Sequence, residues 1–101
     1  MKQIATLTII TLMSTSVWAN ADLAKKNNCL ACHAVDKKIV GPAYQDVAKK
    51  YAGQADAETT LIKNIKAGGS GKWGPIPMPP QTQLNDADAK TLASWVLGGA
   101  K

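Results

Sequence analysis

The sequence predicts an all-α fold of four short helices joined by loops, and three observations lead to it. Apolar residues recur at three- and four-residue spacing in separate segments, which is the spacing of one helix face. Glycine or proline stands at the ends of most of these segments, where helices begin and end. After residue 19, no stretch shows the alternation of apolar and polar residues that indicates a half-buried strand.

Residues 1–19 have the three-part build of a secretory signal and are predicted to lie outside the fold. Lys2 supplies the positive start. Residues 4–13 form an apolar run that is diluted only by threonines and is too short to span a bilayer. We therefore expect a chain that is exported to the periplasm.

The small residues before position 20 indicate where the signal is removed. Val17 and Ala19 suit cleavage after Ala19, which leaves residues 20–101 as a single domain. Cleavage after Ala21 is one alternative, and a retained N-terminal anchor is another. Because no later apolar stretch approaches membrane length, we expect no stable membrane insertion.

The first two predicted helices flank the two cysteines of the chain. Residues 21–28 form the first, with Asp22 in its first turn and lysines toward its end, an order that the helix dipole favours. Pro42 precedes the second, residues 43–51, and Gly53 ends it. The apolar residues of the second helix share one face: Tyr44, Val47, Ala48 and Tyr51.

The last two predicted helices complete the fold. Residues 57–67 form the third helix, which ends at Gly68 and Gly69 and turns Leu61, Ile62 and Ile65 inward. The fourth begins after Asn85, a good N-cap residue, and runs to residue 97. Its apolar face consists of Ala89, Leu92, Ala93 and Val96.

The pentapeptide Cys29-Leu-Ala-Cys32-His33 is typical of a c-type haem attachment site. Two thiols at this spacing can add to the two vinyl groups of one porphyrin, and the histidine that follows is then brought beneath the iron. A thioredoxin-like redox motif is an alternative, but it requires a preceding strand and a βαβ context, which are not predicted. A zinc site would need more ligands than these three residues supply.

Met78 is the predicted second axial ligand of the haem iron. His33 is the only histidine, and Met78 is the only methionine outside residues 1–19. Residues 70–83, which include Met78, hold four prolines and two glycines and are therefore predicted to form a restricted loop. A lone methionine usually fills a core, but Met78 lies outside every helical stripe.

Ligation by histidine and methionine is typical of electron-transfer haems and leaves no open position for a substrate. We therefore expect a soluble one-electron carrier between respiratory-chain partners, and no enzyme activity. A haem sensor or peroxidase-like protein is the alternative if Met78 does not reach the iron. A periplasmic thiol-disulfide oxidoreductase that uses Cys29 and Cys32 is a further alternative.

The net charge is mildly basic and indicates the kind of partner. The chain has twelve lysines and no arginine against seven acidic residues, which gives +5, and loss of Lys2 with the signal leaves +4. The absence of arginine and of long basic runs argues against nucleic-acid binding. We expect redox proteins with acidic docking surfaces as partners, although a merely solvated basic surface is the alternative. A carrier of this size is expected to be a monomer.

Over residues 20–101, the sequence resembles the small class I bacterial cytochromes c of the c-551/c-552 type. The resemblance includes the pentapeptide, the Val-Gly-Pro-Ala segment at residues 40–43, the Gly-Lys-Trp-Gly-Pro-Ile-Pro-Met-Pro-Pro loop at residues 71–80, and a last helix with Trp95. It implies the class I fold, in which four helices wrap around one covalently attached haem c.

The resemblance also implies roles for single residues. The carbonyl of Pro42 would accept the Nδ1 hydrogen of His33, and the indole of Trp73 would donate to a haem propionate, although Trp73 could equally shield the core. Gln81 matches a position near the methionine sulfur, but an exposed loop glutamine is the simpler interpretation. Tyr44, Tyr51 and Trp95 are expected to be packing residues. Lysines are expected around the exposed haem edge, from among Lys26, Lys37, Lys38, Lys49, Lys50 and Lys72.

Overall fold

The computed structural model describes Thr6, Thr8 and residues 16–101, with the backbone alone at residues 16–19. Most of the predicted signal sequence therefore lies outside the described residues. The described part contains four α-helices: α1 (Ser16–Lys26), α2 (Tyr44–Tyr51), α3 (Ala57–Ala67) and α4 (Asp86–Leu97). A short 3₁₀ turn, Cys29–Ala31, follows α1. In the described part of the chain, β pairing is limited to two isolated bridges, so the all-α prediction is confirmed.

Helix α1 is displaced relative to the predicted helix at residues 21–28. It begins at Ser16, before both candidate cleavage positions, and ends at Lys26. Asn28 then adopts a left-handed conformation, with φ 61°, that a right-handed helix cannot contain. The side-chain amide of Asn27 donates to the carbonyl of Leu23 at 2.9 Å. The chain therefore turns before Cys29 instead of entering it as a helix.

Helices α2 and α3 lie where the sequence predicted them, to within one residue. Tyr44, Val47 and Tyr51 are the buried residues of α2, which is three of the four residues in its predicted apolar stripe. Helix α3 ends at Gly68, whose φ of 69° is accessible to glycine at little cost. The prediction that glycine ends this helix is therefore correct.

Helix α4 is the element against which the other three helices pack. Asn85 caps its N-terminus, because its side-chain oxygen accepts a hydrogen bond from the backbone N–H of Asp88 at 2.7 Å. The predicted apolar face of α4 is buried, together with Trp95. The core joins residues from all four helices and the loop before α4: Ala24, Tyr44, Val47, Tyr51, Ala57, Leu61, Leu84, Leu92, Ala93, Trp95 and Val96.

The segment between α3 and α4 contains neither helix nor strand, as its prolines and glycines predict. Lys66 at the end of α3 forms an ion pair with Asp86 at the start of α4, so the two ends of this segment are held near each other. None of the helices described is long and apolar enough to cross a membrane.

Candidate functional site

All six residues predicted to hold the cofactor line one cavity of about 350 Å³: Cys29, Cys32, His33, Pro42, Trp73 and Met78. They come from two distant parts of the chain. The first four belong to the 3₁₀ turn and the segment that leads to α2, and the last two belong to the loop after α3. The fold therefore brings together the residues that the sequence singled out.

The 3₁₀ turn sets the spacing of the two thiols. The backbone N–H groups of Cys32 and His33 both donate to the carbonyl of Cys29, at 3.2 and 2.9 Å. Both cysteines are half-buried, and no disulfide joins them. Burial raises the pKa of the Cys29 thiol, and the neighbouring Cys32 raises it further. Cys29 is therefore protonated at neutral pH, unlike the low-pKa cysteines of thiol-disulfide oxidoreductases.

The imidazole of His33 is held in one orientation by the backbone. Its Nδ1 lies 2.8 Å from the carbonyl oxygen of Pro42, which can only accept a hydrogen bond, so Nδ1 carries the proton. In the neutral imidazole, Nε2 is then the nitrogen that is able to bind a metal. This is the contact that the resemblance implies.

Two further residues fix the same ring, and the sequence did not single them out for this role. The ring of Tyr44 stacks on that of His33, with centroids 5.1 Å apart and planes at 22°. A Cβ atom on Gly41 would lie 2.5 Å from Cε1 of His33, so only glycine leaves room for the imidazole. The Val-Gly-Pro-Ala segment contained the signal for Gly41, but nothing local indicated that Tyr44 faces the histidine.

Tyr44 connects the histidine to the core. On its far side it meets Trp95 of α4 in an edge-to-face contact, with centroids 5.3 Å apart. Burial raises the pKa of the Tyr44 phenol well above its usual range. Tyr44 and Trp95 are buried, as packing residues should be, and Tyr44 also contacts a site residue.

The loop that carries Met78 is pinned to the end of α3. The backbone of Met78 exchanges two hydrogen bonds with Gly69, at 2.7 and 3.0 Å. A Cβ on Gly68 would come within 2.5 Å of the Met78 carbonyl oxygen, so this close approach requires glycine. The backbone hydrogen bonds thus hold the half-buried Met78 at the cavity, independently of the contacts of its side chain.

Two lysines contact aromatic rings where the loop meets the end of α2. Lys50 Nζ lies 4.5 Å from the centre of the Trp73 ring. Lys72 Nζ lies 5.2 Å from the centre of the Tyr51 ring and donates a hydrogen bond to its hydroxyl at 2.7 Å. The side-chain amide of Gln81 donates to the carbonyl of Pro79 at 3.0 Å.

The cavity has the character that a haem requires. It is lined mainly by apolar side chains, and its described charged residues are two lysines, Lys38 and Lys72, without any carboxylate. The buried Nε1 of Trp95, which also lines it, has no acceptor among the described residues. A buried donor without an acceptor is costly, so this pocket fits a bound group that completes its lining. Two thiols, an imidazole and a thioether are together the donors that a c-type haem uses.

The fold and this donor set define a protein that holds a haem through two cysteines, and the comparisons with known proteins agree. The family model described as Cytochrome c matches residues 20–100. The chain therefore belongs to the cytochrome c family, and within it to the class I type that includes cytochromes c-551 and c-552.

Individual relatives are similar over most of the chain. Cytochrome c-552 of Nitrosomonas europaea is 62% identical over 79 residues, which cover 78% of this chain and 77% of the relative. Cytochrome c-551 of Pseudomonas aeruginosa is 52% identical over 102 residues, which cover 96% and 97%. The crystal structure of wild-type N. europaea cytochrome c552 superposes with a TM-score of 0.76 at 61% identity, over 78% of this chain and 98% of that one.

Membership of this family establishes the cofactor and the general role. The protein binds one covalently attached haem c. It is a small mono-haem cytochrome c that carries electrons and works with redox partners.

Proposed function

We propose that this chain is a periplasmic one-electron carrier in which Cys29 and Cys32 bind the haem as thioethers and His33 and Met78 bind its iron. The observation that carries the proposal is that all four residues line one apolar cavity. The haem supplies an iron that gains and loses one electron. Everything else in the proposal concerns how the protein holds that group.

The two axial ligands are held by different means. The imidazole of His33 is clamped by the Pro42 carbonyl, the Tyr44 ring and the surface of Gly41. Met78 is placed by its two backbone hydrogen bonds to Gly69, and the flanking prolines restrict the loop. Ligands held this firmly on both sides favour transfer of an electron without a change of coordination, and they leave no site for a substrate. We therefore propose that the protein is not an enzyme.

Two other functions use the same residues. A sensor or peroxidase-like protein would have an open sixth position, which the pinned Met78 loop disfavours. A thiol-disulfide oxidoreductase would need a reactive thiolate, and the raised pKa of Cys29 disfavours that chemistry.

The surface beside the cavity supports docking to an acidic redox protein. Val40 and Ile76 line the cavity, yet they are 45% and 60% exposed, so each presents apolar surface to solvent beside it. Lys38 lies in the same lining. An apolar centre with a basic rim favours short-lived complexes with an acidic partner. We propose that the carrier itself is a monomer.

We also propose that residues 1–19 are a signal that exports the chain and is then removed. Their composition supports this, and haem attachment to the remaining domain would follow export. Mass spectrometry of the purified protein distinguishes cleavage after Ala19 from cleavage after Ala21. Detection of residues 1–19 in the mature protein would contradict the proposal.

Carbon monoxide distinguishes the carrier from its haem-containing rival. The protein is purified from the periplasm of cells that attach c-type haem, reduced, and exposed to carbon monoxide. With Met78 on the iron, the reduced spectrum should not change, whereas the Met78→Ala variant should bind the gas at once. Rapid binding by the unaltered protein would favour the open-site rival, and absence of haem from the periplasmic protein would overturn the proposal.

A further inference from the structure

The cavity contains a cation that the general role of the protein does not explain. Lys72 lies in the lining, and its ammonium group is held against the Tyr51 hydroxyl at 2.7 Å. The other lysine of the lining, Lys38, pairs through its backbone with His33 and so lies on the cysteine-histidine side. Lys72 instead belongs to the loop after α3 and contacts Tyr51 at the end of α2.

Haem chemistry indicates what this cation meets. The thioether links form on one edge of the porphyrin, and its two carboxylates extend from the opposite part of the ring. The described lining offers no acidic side chain, so Lys72 has no carboxylate partner there from the protein. Besides Lys72, the lining includes two neutral donors, the amide of Asn64 and the indole of Trp73.

We propose that Lys72, held in place by the Tyr51 hydroxyl, pairs with a carboxylate of the haem and thereby raises its reduction potential. This rests on the seating of the haem proposed above. The resemblance placed only Trp73 at the carboxylates and left Lys72 among the surface lysines. A positive charge near the iron stabilises the reduced state, which carries one positive charge fewer, over the oxidised state.

Lys50 provides a matched control for the charge of Lys72. It stands next to Tyr51 in sequence and its Nζ lies over the Trp73 ring, so it occupies the same neighbourhood. Both lysines are exposed, but Lys50, unlike Lys72, does not line the cavity. The charge of Lys50 therefore lies outside the cavity, and its removal should change the reduction potential less than removal of the charge of Lys72.

The test compares the reduction potentials of Lys72→Met and Lys50→Met in the haem-loaded protein. Lys72→Met should lower the equilibrium constant for reduction by several-fold, up to about tenfold, which corresponds to about 59 mV for one electron. Lys50→Met should change it by clearly less. Equal effects of the two variants would overturn the inference, since they would show that only the net charge of the surface matters.

Two further variants separate pairing with the haem from a structural role. Lys72→Arg keeps the charge and should have a reduction potential close to that of the unaltered protein. Lys72→Gln keeps a polar side chain without the charge, and it should lower the reduction potential as Lys72→Met does. If Lys72 only holds the loop against α2, Lys72→Met and Lys72→Gln will lower the thermal stability without lowering the reduction potential, and the inference fails. If Lys72→Met does not assemble, Lys72→Gln decides by the same criterion.

The failure of this inference is distinguishable from failure of the proposed function. The far-red band that reports methionine sulfur on ferric iron depends on Met78 and is recorded for every variant. An unchanged potential with that band intact overturns the role of Lys72 alone. Absence of the band from the unaltered protein contradicts the proposed ligation instead.

Discussion

Replacement of Gly41 by alanine should displace the ring of His33, because the new methyl group has no space. The added Cβ would lie 2.5 Å from Cε1, 2.8 Å from Nδ1 and 3.1 Å from Nε2 of the imidazole. Ordinary van der Waals contact begins at 3.4 Å, so the ring or the backbone must move by about 0.9 Å. Tyr44 stacks on the same ring and limits the directions in which it can go.

The displacement has an energetic cost that can be bounded. Overpacking of a well-packed site typically costs about 1 to 3 kcal/mol. Loss of the 2.8 Å hydrogen bond from Nδ1 to the Pro42 carbonyl would add roughly 0.5 to 1.5 kcal/mol. In a domain of this size each kcal/mol lowers the midpoint of thermal unfolding by about 4 to 8 °C. Gly41→Ala should therefore unfold at a visibly lower temperature.

The assay is thermal unfolding of the haem-loaded protein, together with its oxidised visible spectrum. Gly98→Ala is the matched control, since Gly98 is exposed, has an ordinary φ of −79°, and would make only 3.5 Å contacts. The control should shift the free energy of unfolding by less than about 1 kcal/mol. The account of His33 is refuted if Gly41→Ala matches Gly98→Ala in midpoint and retains the unaltered spectrum.

Three other predictions concern the fold, the core and the surface. Asn85→Ala removes the acceptor for the Asp88 N–H and should lower the free energy of unfolding, measured by chemical denaturation, by about 1 kcal/mol. An unchanged free energy of unfolding would show that the Asn85 cap does not stabilise α4. Because burial raises the pKa of Tyr44 above the unfolded value near 10, the free energy of unfolding should be unaffected by this group below pH 10 and should fall as pH rises above it. Tyr44→Phe, which keeps the stacked ring, should show a smaller alkaline loss, and an equal loss would assign the effect to other groups. The rate of association with an acidic redox protein, measured by stopped flow, should fall steeply as ionic strength rises. A rate that does not depend on salt would show that the surface lysines do not guide docking.

Much of the fold was predictable because its determinants are local. Gly68 and the capping residue Asn85 mark helix ends directly in the sequence, and α3 and α4 lie at the predicted positions. Helix α1 departed from the prediction because its end depends on the conformation of Asn28 and the side-chain bond of Asn27, which helix propensity does not reveal. The tendency of asparagine to adopt left-handed conformations was the available hint.

The candidate site was predictable where a spacing or a unique residue defined it. Cys29, Cys32 and His33 form a contiguous motif, and Met78 stood out as the lone methionine of a proline-rich loop. The support for His33 by Tyr44 was not predictable, because it depends on how the start of α2 faces the histidine.

The place of Lys72 in the cavity lining also depends on tertiary structure. The family resemblance placed it with five other surface lysines, and nothing in the sequence around it indicates that it lines a cavity. The fold distinguishes Lys72 from Lys50. Lys72 lines the cavity and donates to the hydroxyl of Tyr51, whereas Lys50 lies over the ring of Trp73 and does not line the cavity.

The most direct test of the central claim is the oxidised visible spectrum of the periplasmic protein and of its Met78→Ala variant. The proposed ligation predicts c-type haem bands in both proteins, and a weak far-red band, from methionine sulfur on ferric iron, in the unaltered protein alone. If the unaltered protein has c-type bands without the far-red band, or if the variant keeps that band, then Met78 does not bind the iron and the proposed ligation is wrong.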